Sequence, residues 1–128
     1  PSDVLVMAAA VSDFQVLNPH KGKLSRATVP ELKLTPTPDL LYSYSNSFPE
    51  CFTVGFALVD AADDIVEASR HKLETKGADV IIGNRVSSLE GNHTEVHFVD
   101  STSVAALAGS KDEVAREIMR RVAQLLSV

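Results

Sequence analysis

Three largely apolar runs without regular alternation constrain this chain more than any other feature. They are Val4 to Val11 (VLVMAAAV), Cys51 to Leu58 (CFTVGFAL) and Ala78 to Gly83 (ADVIIG). A strand with one wet face alternates apolar and polar residues, whereas a strand covered on both faces has no reason to. The first run also admits a short buried helix, because alanines allow it. Between the second and third runs the period changes. From Ala61 to Lys76, Ile65, Ser69 and Leu73 share one helical face, and Gly77 is placed to end the helix. A second helix is marked from Ser110 to Leu126. Ser110 and Glu113 have the capping-box spacing, and Val114, Ile118, Val122 and Leu125 form one apolar stripe. Buried strands alternating with helices predict an α/β fold: a three-layer, Rossmann-like, mostly parallel sheet with helices on both faces.

The remaining segments are less regular. Residues 14 to 37 read as a long loop punctuated by Pro19, Gly22, Pro30 and Pro36, with Glu31 to Leu34 as a short strand. Long loops of this kind often serve as lids or binding loops. Thr37 suits a helix N-cap, Pro38 the first helical position and Asp39 the first turn of a helix that holds Leu40, Leu41 and Tyr44 and stops before Pro49. Asn84 to Asn92 reads as loop. His93 to Val99 alternates and predicts an edge or half-exposed strand, and Ser103 to Ala108 a further short one. Ligands of open α/β sheets sit beyond the carboxyl ends of the strands. The segments leaving those ends, Ser12/Asp13, Leu58/Val59/Asp60 and Asn84/Arg85, are therefore expected on one rim.

Length and charge narrow the function. A chain of 128 residues is expected to form one domain and to bury roughly two-thirds of its unfolded surface. Twelve basic against seventeen acidic residues give a net charge of −5, which argues against general binding to nucleic acid or anionic membranes but leaves room for a nucleotide in a local basic pocket. Cys51 is the sole cysteine, so no internal disulfide or multi-cysteine metal site can form, and it reads as structural. With no apolar run of ~18 residues and no secretory leader pattern, a cytoplasmic protein is the simplest expectation.

Candidate chemistry concentrates in a few residues. Asp13 could bind a ribose hydroxyl, a magnesium ion or an amine, or simply cap a turn. Lys21, Lys23 and Arg26 make the loop basic and suit a phosphate whose charge grows during reaction, although a solvated basic loop looks the same. Lys72 and Lys76 lie one helical turn apart, with Glu67 and Glu74 near enough for ordinary surface pairs. Phe56 has a core role by default and could stack on a base only from the strand's end. His93 and His97 lack the carboxylate company of a zinc site. No G-x-G-x-x-G, P-loop or G-x-S-x-G pattern occurs.

The ordered set Ala8-Ala9-Ala10-Val11-Ser12-Asp13-Phe14, Gly22-Lys23-Leu24-Ser25-Arg26, Pro38-Asp39-Leu40-Leu41, Gly55-Phe56-Ala57, Lys72-x-x-x-Lys76 and the strand into Asn84 resembles the phosphopantothenate–cysteine ligase family across nearly the whole chain. Members often form the C-terminal half of a bifunctional flavoprotein. The resemblance implies joining of 4′-phosphopantothenate to cysteine through an acyl-nucleotidylate made from CTP or ATP, with magnesium accompanying the triphosphate. It implies a catalytic role for Lys23 and nucleotide contacts from Met7, Ala8, Ala9, Asp13, Lys23, Pro38, Asp39, Leu40, Leu41, Phe56, Lys72 and Lys76, with Asn84 and Arg26 as further candidates. It also implies a homodimer of the complete enzyme. Departures are Ser25-Arg26 in place of two lysine-loop residues, Thr37 for the asparagine before Pro-Asp, Val59 for a glutamate, and Arg85 for an aspartate. The family's glycine-rich first half has no counterpart, so a fragment holding the nucleotide half is expected. A non-catalytic nucleotide-binding domain and an NAD-dependent oxidoreductase fragment are the competing readings.

Overall fold

The computed structural model describes residues 2–26, 31–85 and 92–127. In chain order the elements are β1 (Val4–Met7), β2 (Phe14–Val16), β3 (Leu34–Pro36), α1 (Leu40–Ser47), β4 (Phe52–Val59), α2 (Ile65–Lys76), β5 (Val80–Arg85), β6 (His93–Asp100), β7 (Val104–Ser110) and α3 (Lys111–Leu126). They divide into two compact units, Pro1–Ala8 with Leu40–Val128, and Ala9–Asp39.

The larger unit is built on a five-stranded sheet of order β1-β4-β5-β6-β7. β1, β4 and β5 run parallel, and β6 and β7 return antiparallel. The α/β architecture is the one the apolar runs predict, and β5 shows why its run does not alternate. Val80 and Ile82 pack with Val114, Ile118 and Val122 of α3 on one face. Ile81 packs with Leu41 of α1 and with Ile65 and Leu73 of α2 on the other. Both faces are covered, so Val80, Ile81 and Ile82 are all apolar.

The helices begin and end where side chains can satisfy free backbone groups. Asp64 caps α2 by accepting from the N–H groups of Val66 (2.8 Å) and Glu67 (2.9 Å). Gly77 ends α2 in the left-handed region, at φ 60 and ψ 34, which a glycine enters without steric penalty. Ser110 and Glu113 form the full capping box of α3. Ser69, wholly buried on the packed face of α2, donates to the Ile65 carbonyl at 2.6 Å. A Cβ at Gly83 on the facing strand would clash with that hydroxyl, so the close approach of α2 to β5 requires a residue without a side chain there.

The structure departs from the sequence expectations in several elements. β1 stops at Met7 and is half-buried as an outer strand paired only with β4, rather than running to Val11 under cover on both faces. Ala8 to Val11 are exposed; alanines favour strands weakly and have little side chain to bury. Residues 14 to 37 are not all loop, because β2 and β3 pair antiparallel as a two-stranded sheet within the smaller unit. Flanking bonds from Leu17 N to Lys33 O (2.7 Å) and from Thr37 N to Asp13 O (2.8 Å) extend that hairpin. The latter bond commits Thr37 to the hairpin, its buried Oγ1 has no partner, and α1 accordingly begins at Leu40 rather than Pro38. β6 lies between β5 and β7 and is not an edge. Its alternation arises because Val96 and Phe98 are sealed under α3 while Glu95 is exposed and His97 half-buried. Finally, Asn84 and Arg85 close β5; the rest of the expected Asn84–Asn92 loop, residues 86–91, lies outside the described residues.

The β6–β7 turn yields a stability prediction. Buried Asp100 accepts from the N–H (2.8 Å) and Oγ1 (2.9 Å) of Thr102 and from the N–H (2.7 Å) and Oγ (2.6 Å) of Ser103. Burial alone would push its carboxyl up, but the donors of Ser103 and Thr102 outweigh burial and hold it below the ordinary carboxylate range. Asp100→Ala is expected to lose about 2–3 kcal/mol at neutral pH, since it strands four donors. A carboxyl depressed on folding stabilises the native state above its unfolded value, and that contribution fades as pH falls below about 4. Urea titrations of wild type and variant should therefore converge on going from pH 7 to pH 3. A gap that stays constant with pH would contradict this account of the turn.

Candidate functional site

The parallel register sets Leu58 beside Asn84 and Val59 beside Arg85, so two of the three segments expected on one rim meet. From the end of β5 the Arg85 guanidinium reaches across to the turn that follows β4. Its Nη1 donates to the carbonyls of Asp60 (2.6 Å) and Asp63 (2.9 Å). Against this turn, β4 and α2 enclose an open depression of about 370 Å³. Lys72 and Lys76 line it one helical turn apart, with Asp60, Asp63, His71 and Thr75 around them. Glu67 and Glu74, considered above as partners for these lysines, line an adjoining groove of α2 with Asp64 and Arg70, and His71 borders both. The lysine pair thus belongs to a concave surface and can engage an extended anion such as a chain of phosphates. Asp64, at the helix start, is held below the ordinary carboxylate range chiefly by the N–H groups of Glu67 and Val66.

The other candidates distribute differently. Phe56 is 37% exposed and takes no part in the core, which corrects its default assignment. The reason is coverage: α3 packs on β6 and β7, and the Phe56 side of β4 extends beyond that cover. By strand alternation Phe56 shares a face with Val54, which packs toward α3, whereas Ala57 and Val59 face α1 and α2. The sheet therefore stands between the Phe56 ring and the lysine-lined depression. Leu41 is a core side chain; a Cβ at Gly55 would lie 2.5 Å from its Cδ2. Leu40, in the first turn of α1, is exposed. Met7 packs partly against the core on the α2 side, Ala8 is exposed, and Asn84 is half-buried at the end of β5.

Ala9, Asp13, Lys23, Arg26, Pro38 and Asp39 belong to the smaller unit. Ser12 and Asp13 do not close β1 but precede β2, where Ser12 Oγ donates to the Phe14 carbonyl at 2.9 Å. Asp13 contributes its carbonyl to the hairpin and has an exposed side chain. Lys23 and Arg26 are exposed between β2 and β3. Pro38 is exposed and Asp39 half-buried. Sequence reasoning missed the anchoring role of Arg85, because its acceptors are backbone carbonyls 25 and 22 residues away. His71 and Thr75 were also missed, although helical periodicity places them on the flank of Lys72 and Lys76. Cys51 is buried. Among the described residues no three histidine, cysteine or acidic side chains are grouped to hold a metal ion, and no helix is long and apolar enough to cross a membrane.

A parallel β1-β4-β5 half with a lysine-lined depression beside its central strand defines an α/β domain of the ligand-binding, doubly wound kind. More specifically, the chain belongs to the family described as DNA/pantothenate metabolism flavoprotein C-terminal domain, whose model matches residues 1–126. It is 29% identical over 127 residues to the coenzyme A biosynthesis bifunctional protein CoaBC of Thermococcus kodakarensis, covering 97% of this chain and 32% of that protein. Among solved structures it is similar to the DNA/pantothenate metabolism flavoprotein from Streptococcus pneumoniae, with a TM-score of 0.79 and 21% identity over 96% of this chain and 63% of that one. The C-terminal domain of coenzyme A biosynthesis bifunctional protein CoaBC gives a TM-score of 0.73 and 25% identity, over 98% and 55% of the two chains. The Rossmann-like fold expected from the sequence is thereby established. The chain spans about a third of the length of the curated relatives it matches.

Proposed function

We propose that this domain serves the nucleotide half of phosphopantothenate–cysteine ligation in coenzyme A biosynthesis. The observation that carries the reading is the depression lined by Lys72 and Lys76 in a chain of this family. In the reaction, the 4′-phosphopantothenate carboxylate attacks the α-phosphorus of CTP or ATP and pyrophosphate departs. The cysteine amine then attacks the acyl carbon, its proton is lost, and the nucleoside monophosphate leaves. Lys72 and Lys76 would hold the β- and γ-phosphates, so that the α-phosphate presents a fixed face to the incoming carboxylate. Lys23 would offset the charge that grows at the α-phosphate, and the segment bearing it would keep water from the acyl-nucleotidylate. The backbone at Leu40 and Leu41, at the start of α1, offers N–H groups to an anion. Met7, Ala8, Ala9, Asp13, Pro38, Asp39 and Phe56 remain nucleotide contacts by resemblance. The described residues provide no ligand cluster for a resident metal, so magnesium would travel on the oxygens of the triphosphate, where it neutralises phosphate charge.

The reading predicts that the isolated chain binds CTP weakly and does not complete the ligation. Calorimetry with CTP, ATP and UTP, together with a coupled pyrophosphate assay, tests both parts. Absence of binding to every triphosphate would remove the nucleotide assignment, and full turnover by this chain alone would remove the view that it supplies one half of the machinery.

A further inference from the structure

We propose that His71 is a third, proton-dependent phosphate ligand of the depression beside β4 and α2, which therefore holds a polyphosphate more tightly as pH falls from 8 to 6. The inference rests on the functional reading above and deepens it. The fixed charges of the lining cancel. α2 supplies the ammonium groups of Lys72 and Lys76, and the turn before α2 supplies the carboxylates of Asp60 and Asp63. These sum to zero whichever way they pair among themselves. β4 contributes Ala57, Leu58 and Val59, which carry no charge. The Arg85 guanidinium, from β5, is engaged with the carbonyls of Asp60 and Asp63 and is not part of the lining. His71 is the remaining titratable side chain there, so its proton decides the sign. An imidazole takes up that proton between about pH 8 and 5. Neutral, the ring leaves the lining balanced; protonated, it makes the lining cationic and offers two N–H donors. His71 directly precedes Lys72 and is exposed, and its carbonyl accepts from Thr75 Oγ1 at 2.9 Å. On its other flank it borders the groove of Asp64, Glu67, Arg70 and Glu74. Glu67 lies four residues before it and Glu74 three after, the spacings at which helical side chains meet, so these carboxylates are the ring's alternative partners. A chain of phosphates presents more charge than either of them and can touch His71 and Lys72 together.

The test is calorimetric titration of this chain with inorganic tripolyphosphate at low salt, at pH 8 and at pH 6. Terminal phosphates also take up protons over this range, so each comparison is made at one pH against His71→Gln, which removes the charge and suits a helix. At pH 6 wild type should bind about three- to tenfold more tightly than His71→Gln, and at pH 8 the two should agree within about twofold. Equal affinities at pH 6, or the same deficit of His71→Gln at both pH values, overturn the inference and leave the functional reading intact. His71→Lys, charged at both pH values, should exceed wild type at pH 8 and match it at pH 6. A ratio that does not change with pH likewise overturns the inference, and this comparison stands if the glutamine variant fails to fold. No binding by wild type at either pH, or Lys72→Met binding like wild type at both, removes the reading and the inference together.

Discussion

Replacing Phe98 with alanine is expected to remove about 3–5 kcal/mol of folding stability. Phe98 is 2% exposed, lies on the interior strand β6 and fills the space between the sheet and α3. Its cross-strand neighbours are Ile82 and Ala105. Ala105 is too small to close the gap, and α3 is held over it by Val114, Ile118 and Val122, so the site cannot collapse easily and most of the cavity penalty persists. A further contribution comes from Arg121, whose guanidinium carbon stands 5.9 Å from the ring centroid while Glu117 fixes it from the preceding turn at 2.9 Å. That cation–π contact is worth about 0.5–1 kcal/mol at a partly exposed site. The sum, about 3.5–6 kcal/mol, reaches the lower end of the stability of an ordinary domain, about 5–15 kcal/mol, so the variant should be measurably unfolded under mild conditions. Phe98→Leu, which keeps most of the volume, should lose less than about 2 kcal/mol. Urea unfolding followed by circular dichroism measures both. A Phe98→Ala loss below about 1 kcal/mol would mean that α3 is not seated on β6 as described.

The same core shows what could be read before any coordinates. Ile65, Ser69, Leu73 and Gly77 carry helical period and a stop signal in local sequence alone, and α2 follows them. Ser110 and Glu113 likewise announce α3, because a capping box is closed within four residues. Elements were lost where the determining contact is distant or the strand very short. The β2–β3 hairpin consists of two three-residue strands among prolines and glycines, and its pairing is visible only once Thr37 and Asp13 are brought together. For β6 the sequence left an edge or a half-exposed strand open, and the second holds, because alternation reports how each face is covered and not how many neighbours a strand has. The burial of Phe56 was misjudged for a related reason: an apolar run cannot say how far along a strand the covering helix extends. At the candidate site, the pairing of Lys72 with Lys76 was legible from their spacing. Their placement in a depression beside β4 depended on which flank of α2 faces that strand, a tertiary fact.

Lys23→Gln is expected to lower the turnover number about 10²–10³-fold in a background that supplies the remainder of the relatives' length, with the dissociation constant for the triphosphate changed by no more than about threefold. The reasoning concerns where charge appears. On the proposed reading, the charge of the bound triphosphate is met by magnesium and by Lys72 and Lys76 at the β- and γ-phosphates. On the same reading, negative charge grows at the α-phosphate as the carboxylate attacks, away from the phosphates assigned to the lysine pair. A cation brought there by the segment between β2 and β3 acts on the transition state more than on the ground state, so its removal appears in turnover and hardly in binding. Lys23 suits that task because it is exposed and carried on a long flexible stem. Glutamine keeps a hydrogen-bond donor and most of the length while removing the charge, which isolates the electrostatic contribution. Single-turnover measurement of pyrophosphate release, beside calorimetric binding of the same triphosphate, separates the two quantities. A variant with wild-type turnover would return the domain to the competing reading of a nucleotide-binding module without a catalytic lysine. Equal losses in binding and turnover would instead place Lys23 with Lys72 and Lys76, as a ground-state phosphate ligand.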